Sequence, residues 1–261
     1  MIEHSIIIPH HNRKDALGMC LGSLEFAKVI GNAEVLLVDS DPGSVASFYW
    51  PGVRVVRGRQ QPGKGGYYSK SQAVNDGIEA SRGKVITLLD CDMIVGRDFG
   101  SGYKVLLEDE SITKLCYRVR EFGQRSPRPT WREIAEAFAR YDATDLGQPV
   151  FPLGFEGRVD PLHNRDVWDT GGDPPEPLFG NSQQSIRREV LGDLRMNEDF
   201  MGGPFEDLWL NREIFRRADS YKAVLAPEPG CLLFHQTHDK WQKDWRTPLS
   251  TNVNRDIYRN T

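Results

Sequence analysis

Short apolar runs recur through the amino-terminal hundred residues, and each one stops at a polar or glycine-rich cluster. Ile6, Ile7 and Ile8 form the first, closed by Pro9-His10-His11-Asn12-Arg13; Val35 to Val38 form the second, closed by Asp39-Ser40-Asp41-Pro42-Gly43. Val53 to Val56 is a third. Val85, Ile86, Leu88 and Leu89 make a fourth, which stops abruptly at Asp90-Cys91-Asp92. Unbroken, β-branched-rich runs of this length read as strands in a sheet covered on both faces. Between the first two, Leu17, Cys20, Leu21 and Leu24 recur at helical spacing, with Asn12 as the predicted N-cap. Before the fourth, Ser69-x-x-Gln72 has the form of a capping box, and Ala73, Val74, Gly77 and Ile78 supply an apolar helix face. Strand, helix, strand in this order implies a right-handed βαβ unit and an α/β chain.

The pattern is less regular further on. Tyr103 to Leu107 reads as a helix and Ile112 to Val119 as a single strand. Half of the chain's 16 prolines fall between Arg125 and Pro177, interrupted by a helical patch from Trp131 to Tyr141. Gly147 to Gly180 shows little periodicity, and so long an irregular stretch within one domain reads as a functional loop, here a lid. A helix follows Gly202-Gly203-Pro204-Phe205-Glu206-Asp207, with Leu208, Leu210, Ile214, Phe215 and Ala218 as its apolar face. Ala223 to Ala226 and Cys231 to Phe234 are the last strands. His235-Gln-Thr-His238-Asp239 ends the second, before a polar tail with Trp241 and Trp245.

Composition narrows the class. With 261 residues, 39% hydrophobic, 27% charged and a net charge of −4, the chain suits one α/β domain with an embellishment. The mildly acidic balance argues against a broad nucleic-acid-binding face. Arginine clusters such as Arg187-Arg188 and Arg216-Arg217 read as solvated rather than as phosphate contacts. The 4 cysteines form no CxxC pair, so neither a zinc site nor a disulfide framework is expected. No signal-peptide core follows Met1, and no apolar stretch approaches the roughly 20 residues that span a bilayer. The expectation is a cytoplasmic protein with reduced thiols.

The chemistry concentrates at Asp90 and Asp92. Two carboxylates at i and i+2 just past a buried strand can face a hard divalent cation and the phosphates it carries, at the sheet edge where α/β folds bind ligands. Strand punctuation is the competing reading of that pair. The loop from Arg57 to Lys70 is basic and glycine-rich. Gly58 to Lys64 matches the start of a Walker A pattern, but Gly65 stands where a Ser or Thr must hold Mg²⁺, and Tyr68 breaks G-x-G-x-x-G. Glu206 and Asp207 fall in a helix first turn, where negative charge is favoured for capping alone.

Taken in order, SIIIPHHNR, EVLLVDSD, Lys70-x-x-Ala73-x-Asn75-x-Gly77 and the strand ending in Asp90-x-Asp92 resemble the nucleotide-sugar half of GT-A glycosyltransferases, especially family 2. The later GGPFEDLWLNREIFRR and its following His-bearing strand end resemble their acceptor half, including that of galactosyl- and N-acetylgalactosaminyltransferases. The resemblance implies a single Rossmann-like domain whose mixed, mainly parallel central sheet is flanked by helices, with an irregular acceptor-side insertion. Residues 1–100 would form the nucleotide-sugar half, 101–240 the acceptor half and 241–261 a tail. It places Pro9, His10, Asn12, Arg13 and Asp39 at the nucleoside, with Lys64, Lys70, Asp90, Cys91 and Asp92 completing the donor site. Asp92 would bind Mn²⁺ or Mg²⁺ directly, Asp90 would serve the ribose or the metal's water shell, and Cys91 would pack away from the ion. His235 would be a further metal ligand, with His238 as competitor. Asp207 would be the catalytic base, with Glu206 as substitute. Met93-Ile94-Val95 departs from the family pattern, which has an acidic or polar signature there.

These assignments imply transfer of a sugar from a nucleotide diphosphate donor, UDP-linked by resemblance, to an acceptor hydroxyl with inversion. The metal, with Lys64, Lys70 or Arg13, would offset charge growing on the leaving diphosphate, and a carboxylate on the opposite face would take the acceptor's proton. Retention of configuration, a sugar-phosphate nucleotidyltransferase and a binding module without turnover are the alternatives. The acceptor class stays open among a glycan, a protein, a small molecule and a hydroxymethylated DNA base.

Overall fold

The computed structural model describes residues 2–40, 50–59, 68–117, 119–122, 157–158, 183–200, 206–218, 221–226, 231, 233–236, 253–254, 256–257 and 260. The expected apolar runs become strands β1 (His4–His10), β2 (Glu34–Asp39), β3 (Val53–Arg57) and β4 (Val85–Leu88). Helices α1 (Lys14–Phe26) and α2 (Lys70–Ala80) connect the first two and lead into the fourth. Further along lie β5 (Met93–Val95), α3 (Phe99–Gly102), α4 (Lys104–Glu108), β6 (Lys114–Cys116), β7 (Val119–Phe122) and β8 (Gly157–Arg158). The described chain ends with β9 (Gln184–Arg187), α5 (Arg188–Leu191), α6 (Glu206–Arg217), β10 (Ala223–Leu225) and β11 (Leu233–His235).

Among the described residues, seven strands form the main sheet in the order β10-β6-β9-β4-β1-β2-β3, and four form a second sheet, β5-β11-β7-β8. In the main sheet β1 pairs in parallel with β2 and β4, β2 with β3 and β6 with β10, whereas β9 runs antiparallel between β4 and β6. The sheet is mixed and mainly parallel, as expected. β1 is buried at every position because both faces are covered. Ile6 and Ile8 pack with Leu17, Leu21 and Leu24 of α1, while Ile7 packs with Ala73, Val74 and Ile78 of α2 on the other face. Strand alternation divides the three isoleucines between two cores. Helix α6 joins the second core through Leu210 and Ile214, so α2 and α6 share one side of the sheet.

Three expectations are corrected. Asn12 is not the N-cap of α1: Arg13 occupies that position without a side-chain cap bond, and Asn12 takes a positive φ of 50°. An asparagine tolerates that left-handed conformation, which here turns the chain between β1 and α1. Ile112 to Val119 is not one strand, because Lys114–Cys116 and Val119–Phe122 belong to different sheets. The face of α6 buries Glu206 and Asn211 along with Leu210 and Ile214, while Leu208 and Phe215 are only partly covered. The Ser69 cap is present, its hydroxyl accepting from the Gln72 amide at 3.3 Å. The helical patch at 131–141, most of the lid stretch, the Gly202-Gly203 turn, Lys64 and His238 lie outside the described residues.

Helix α2 lies close on the sheet at Gly77. A Cβ there would meet Ile7 Cγ2 at 2.3 Å and Val38 Cγ2 at 3.0 Å. Gly77→Ala is expected to lower stability by about 1–3 kcal/mol through overpacking, measured by urea denaturation; an unchanged midpoint would show that the helix can shift outward at no cost.

Candidate active site

Parallel β1, β2 and β4 all end along one edge of the sheet, and the candidate residues gather there. His10, the last residue of β1, is fully buried and its Nδ1 lies 3.0 Å from Oδ1 of Asp39, the last residue of β2. The Arg13 amide donates to His10 Nε2 at 3.3 Å, so the ring proton sits on Nδ1 and is donated to Asp39. Pro9 is buried inside β1, opposite Val38. Asn12 is exposed at the turn.

Past β4 the two aspartates part company. Asp90 is clamped by Gln183, whose Nε2 donates to Asp90 Oδ2 at 2.7 Å while its Oε1 accepts from the Asp90 amide at 2.9 Å. Lys70 Nζ donates to Asp90 Oδ1 at 2.8 Å and reaches Asp207 Oδ2 at 3.4 Å. Asp92 turns the other way, to an ion pair with Arg13 through Oδ2. His235 Nε2 lies 3.5 Å from the same oxygen, and the Gln236 amide donates to the Asp92 carbonyl at 2.9 Å. Cys91 is packed in the core with Leu17 and Cys20, and burial pushes its thiol up. It does not reach the site surface.

The apolar Met93-Ile94-Val95 now has a structural account. It is β5, and it pairs antiparallel with β11, setting His235 opposite Met93. A polar signature there would have cost the small sheet its buried face; the apolar one docks the strand that carries His235 to Asp92.

Asp207 lies in the first turn of α6, beside Lys70 and Glu206. Burial pushes its carboxyl up to about 7; the Lys70 ammonium opposes this, while the charges of Glu206 and Asp90 reinforce it. Burial would push the Lys70 ammonium down, but Asp207, Asp90 and Glu206 outweigh it and hold the group well above its ordinary value. Asp207 Oδ1 and Glu206 Oε2 are buried and accept no hydrogen bond among the described residues. Oxygens of that kind favour a donor arriving from outside, such as a hydroxyl.

No cluster of three or more His, Cys, Asp or Glu side chains suited to a metal forms among the described residues. Asp92 Oδ2 and His235 Nε2 are nevertheless spaced suitably at 3.5 Å, since neighbouring ligands on one ion at roughly 2.1 Å each stand about 3 Å apart. Such ions commonly take one or two protein ligands and complete their shell with phosphate oxygens. Asp92 and His235 are thus the residues that could share an ion, with the Arg13 guanidinium now on the same Asp92 oxygen and Asp90 turned to Lys70 and Gln183.

The sequence model of glycosyl transferase family 2 matches residues 5–152, more than half of the chain. The protein is a member of glycosyltransferase family 2. Its structure resembles S. aureus TarS 1-349 in complex with UDP-GlcNAc, with a TM-score of 0.61 at 12% identity, over 98% of this chain and 65% of that one. It also resembles the longer S. aureus TarS chain, with a TM-score of 0.58 at 13% identity, over 98% of this chain and 39% of that one. A third likeness is to glucosyl-3-phosphoglycerate synthase from Mycobacterium tuberculosis in complex with Mn²⁺, UDP and phosphoglyceric acid, with a TM-score of 0.51 at 17% identity, over 98% of this chain and 76% of that one. At these identities the likeness establishes the GT-A fold, and this chain spans less than two thirds of the length of the TarS chains. Among curated proteins, none matches the sequence significantly. The family match ends before α6, so the galactosyltransferase resemblance of the carboxyl-terminal half is not part of it.

Sequence reasoning missed Gln183. It sits in Asn181-Ser-Gln-Gln-Ser-Ile186, a polar run without periodicity that gives no sign of a buried central strand. The arginine pairs, by contrast, are engaged within the chain: Arg188 donates to the Gly83 carbonyl, Arg216 to Glu213 and Arg217 to Asp193. No helix among the described residues is long and apolar enough to cross a membrane. Gln183→Ala is expected to cost about 1–3 kcal/mol in denaturant unfolding, because it leaves the Asp90 amide and one carboxylate oxygen without their partner; a cost near zero would mean that water replaces the clamp.

Proposed function

We propose that this glycosyltransferase moves a sugar from a UDP-linked donor to an acceptor hydroxyl with inversion, in a metal-assisted reaction with Asp207 as base. One observation carries the reading: Lys70 joins Asp90, at the donor edge of the sheet, to Asp207, which keeps a buried oxygen without a hydrogen bond. The proposed base thus shares one cation with a donor-side carboxylate. The TarS chain and the synthase whose structures contain UDP-GlcNAc and UDP support the choice of nucleotide, and the latter's Mn²⁺ supports the choice of ion.

His10 orients Asp39 at the nucleoside end of the site. Asp92 and His235 would hold Mn²⁺ or Mg²⁺, which supplies charge neutralisation for the leaving diphosphate. Arg13 adds a fixed positive charge beside Asp92, and Lys70 adds another between the two halves of the site. Asp207 takes the acceptor's proton through Oδ1 as the oxygen attacks the anomeric carbon, and a base whose conjugate acid titrates near neutrality is suited to that step.

Thermal shift and turnover test the assignment. Mn²⁺ with a UDP-sugar at a hundredfold excess over Kd should stabilise the protein by about 2.7 kcal/mol by mass action. Asp92→Asn should lose that shift. Asp207→Asn should keep it while metal-dependent hydrolysis of the UDP-sugar falls about 10²- to 10⁴-fold. Full turnover by Asp207→Asn would remove it from the base role, and a shift with GDP- or TDP-sugars alone would change the donor.

The same carboxyl sets a pH dependence. The rate constant kcat/KM, which follows ionisation of the free enzyme, should fall as pH drops below about 7, because only ionised Asp207 accepts a proton. For stability the sign is opposite. A folded value above the unfolded one gives a contribution that is full below about pH 4 and lost as pH rises through about 7. Asp207→Asn should therefore flatten stability across that window in urea melts at several pH values, and an unaltered slope would assign the titration elsewhere.

A further inference from the structure

Beneath α6 lies a second lysine that the proposed reaction does not use. Lys114, in β6, is fully buried, and its Nζ donates to Asn211 Oδ1 at 2.7 Å and to Gln184 Oε1 at 3.0 Å. Both acceptors are fully buried as well. Asn211 stands four residues after Asp207 on α6, so the two side chains lie on one face of the helix, one turn apart. The Lys114 ammonium is thus bonded to the residue directly below the proposed base.

Strand β9 connects the two halves of this arrangement. Gln183 clamps Asp90 while its neighbour Gln184 accepts from Lys114. Gln183, just before β9, therefore holds Asp90, the first partner of Lys70, and Gln184, the first residue of β9, holds through Lys114 and Asn211 the helix that carries Asp207, its second partner.

We propose that Lys114 is a positioning residue for Asp207, fixing the first turns of α6 through Asn211 and favouring the ionised carboxylate from inside the protein. The inference rests on the reading of Asp207 as base. The groups that act on Asp207 from the packed elements are Lys70 of α2, Asp90 after β4, Glu206 of α6 itself and Lys114 of β6. Glu206 and Asp90 raise the carboxyl, and Lys70 lowers it. Lys114, fully buried beneath the helix, carries a second positive charge that interacts with Asp207. Burial pushes its own ammonium down, and the charges of Cys116 and Asp207 pull it back up. A lysine kept in so unfavourable a place has a use for its charge, because an apolar residue of similar volume would be tolerated there at least as well.

The test uses Lys114→Gln, which retains a hydrogen-bond donor without charge, and Lys114→Met, which fills the space without either and protects against a folding failure of the first. The Asp207 carboxyl is titrated by ¹³C NMR, assigned by its loss in Asp207→Asn, and kcat/KM for UDP-sugar hydrolysis is followed with pH in parallel. Removing a charge about one helical turn away should raise the carboxyl titration by about one pH unit in both variants, with the acidic limb of the rate profile moving alkaline by the same amount. A carboxyl that titrates unchanged in whichever variants fold would overturn the proposal and leave Lys114 a packing residue. A carboxyl that moves while the rate profile stays would uphold Lys114 as the charge acting on Asp207 and overturn the base assignment instead.

Discussion

The Lys70 ammonium, shared between Asp90 and Asp207, is the interaction on which the candidate site depends. Asp90 follows β4 and Asp207 opens α6, more than a hundred residues later, so a single cation joins the donor edge of the sheet to the helix of the opposite half. Three carboxylates converge around it, counting Glu206, and without Lys70 their mutual repulsion in a poorly solvated place would force protonation or movement. The pairing also divides the roles of the two aspartates after β4. Asp90 is taken up by Lys70 and Gln183, leaving Asp92 to face Arg13 and His235.

That division needs both sheets. The parallel strands bring His10, Asp39 and Asp90 to one edge because their carboxyl ends point the same way. The small sheet supplies the rest: β5 leaves the Asp-x-Asp turn, pairs with β11 and places His235 beside Asp92. The antiparallel β9 interrupts the parallel order and carries Gln183 and Gln184 into positions between β4 and β6. A run of buried polar side chains in a central strand costs hydrophobic burial, and the cost is offset here by hydrogen bonds to Asp90 and Lys114.

How much of this was legible beforehand differs by element. The four apolar runs, the two amphipathic helices and the Ser69 cap follow from local patterning, and the membership of family 2 agrees with their order. Asn12 was legible as a special residue but not as which kind, since helix capping and a left-handed turn draw on the same short polar side chain. Met93 to Val95 looked like a departure from pattern because its partner, β11, is more than a hundred residues away in sequence. The two glutamines were illegible for the same reason: their burial is set by neighbours, not by their own periodicity.

The amino-acid sequence by itself determined the mainly parallel sheet, its two covered faces and the presence of Asp90, Asp92 and Asp207 at element ends, because strand and helix periods and chain punctuation are local properties. Only the tertiary structure decided which charge meets which. Lys70 could have faced solvent, and Asp90 and Asp92 could have pointed together; the crossing of α2, β4, β9 and α6 sends one to Lys70 and Gln183 and the other to Arg13 and His235. Electrostatic partnership depends on distances of a few ångströms between residues far apart in the chain, and no local pattern encodes it.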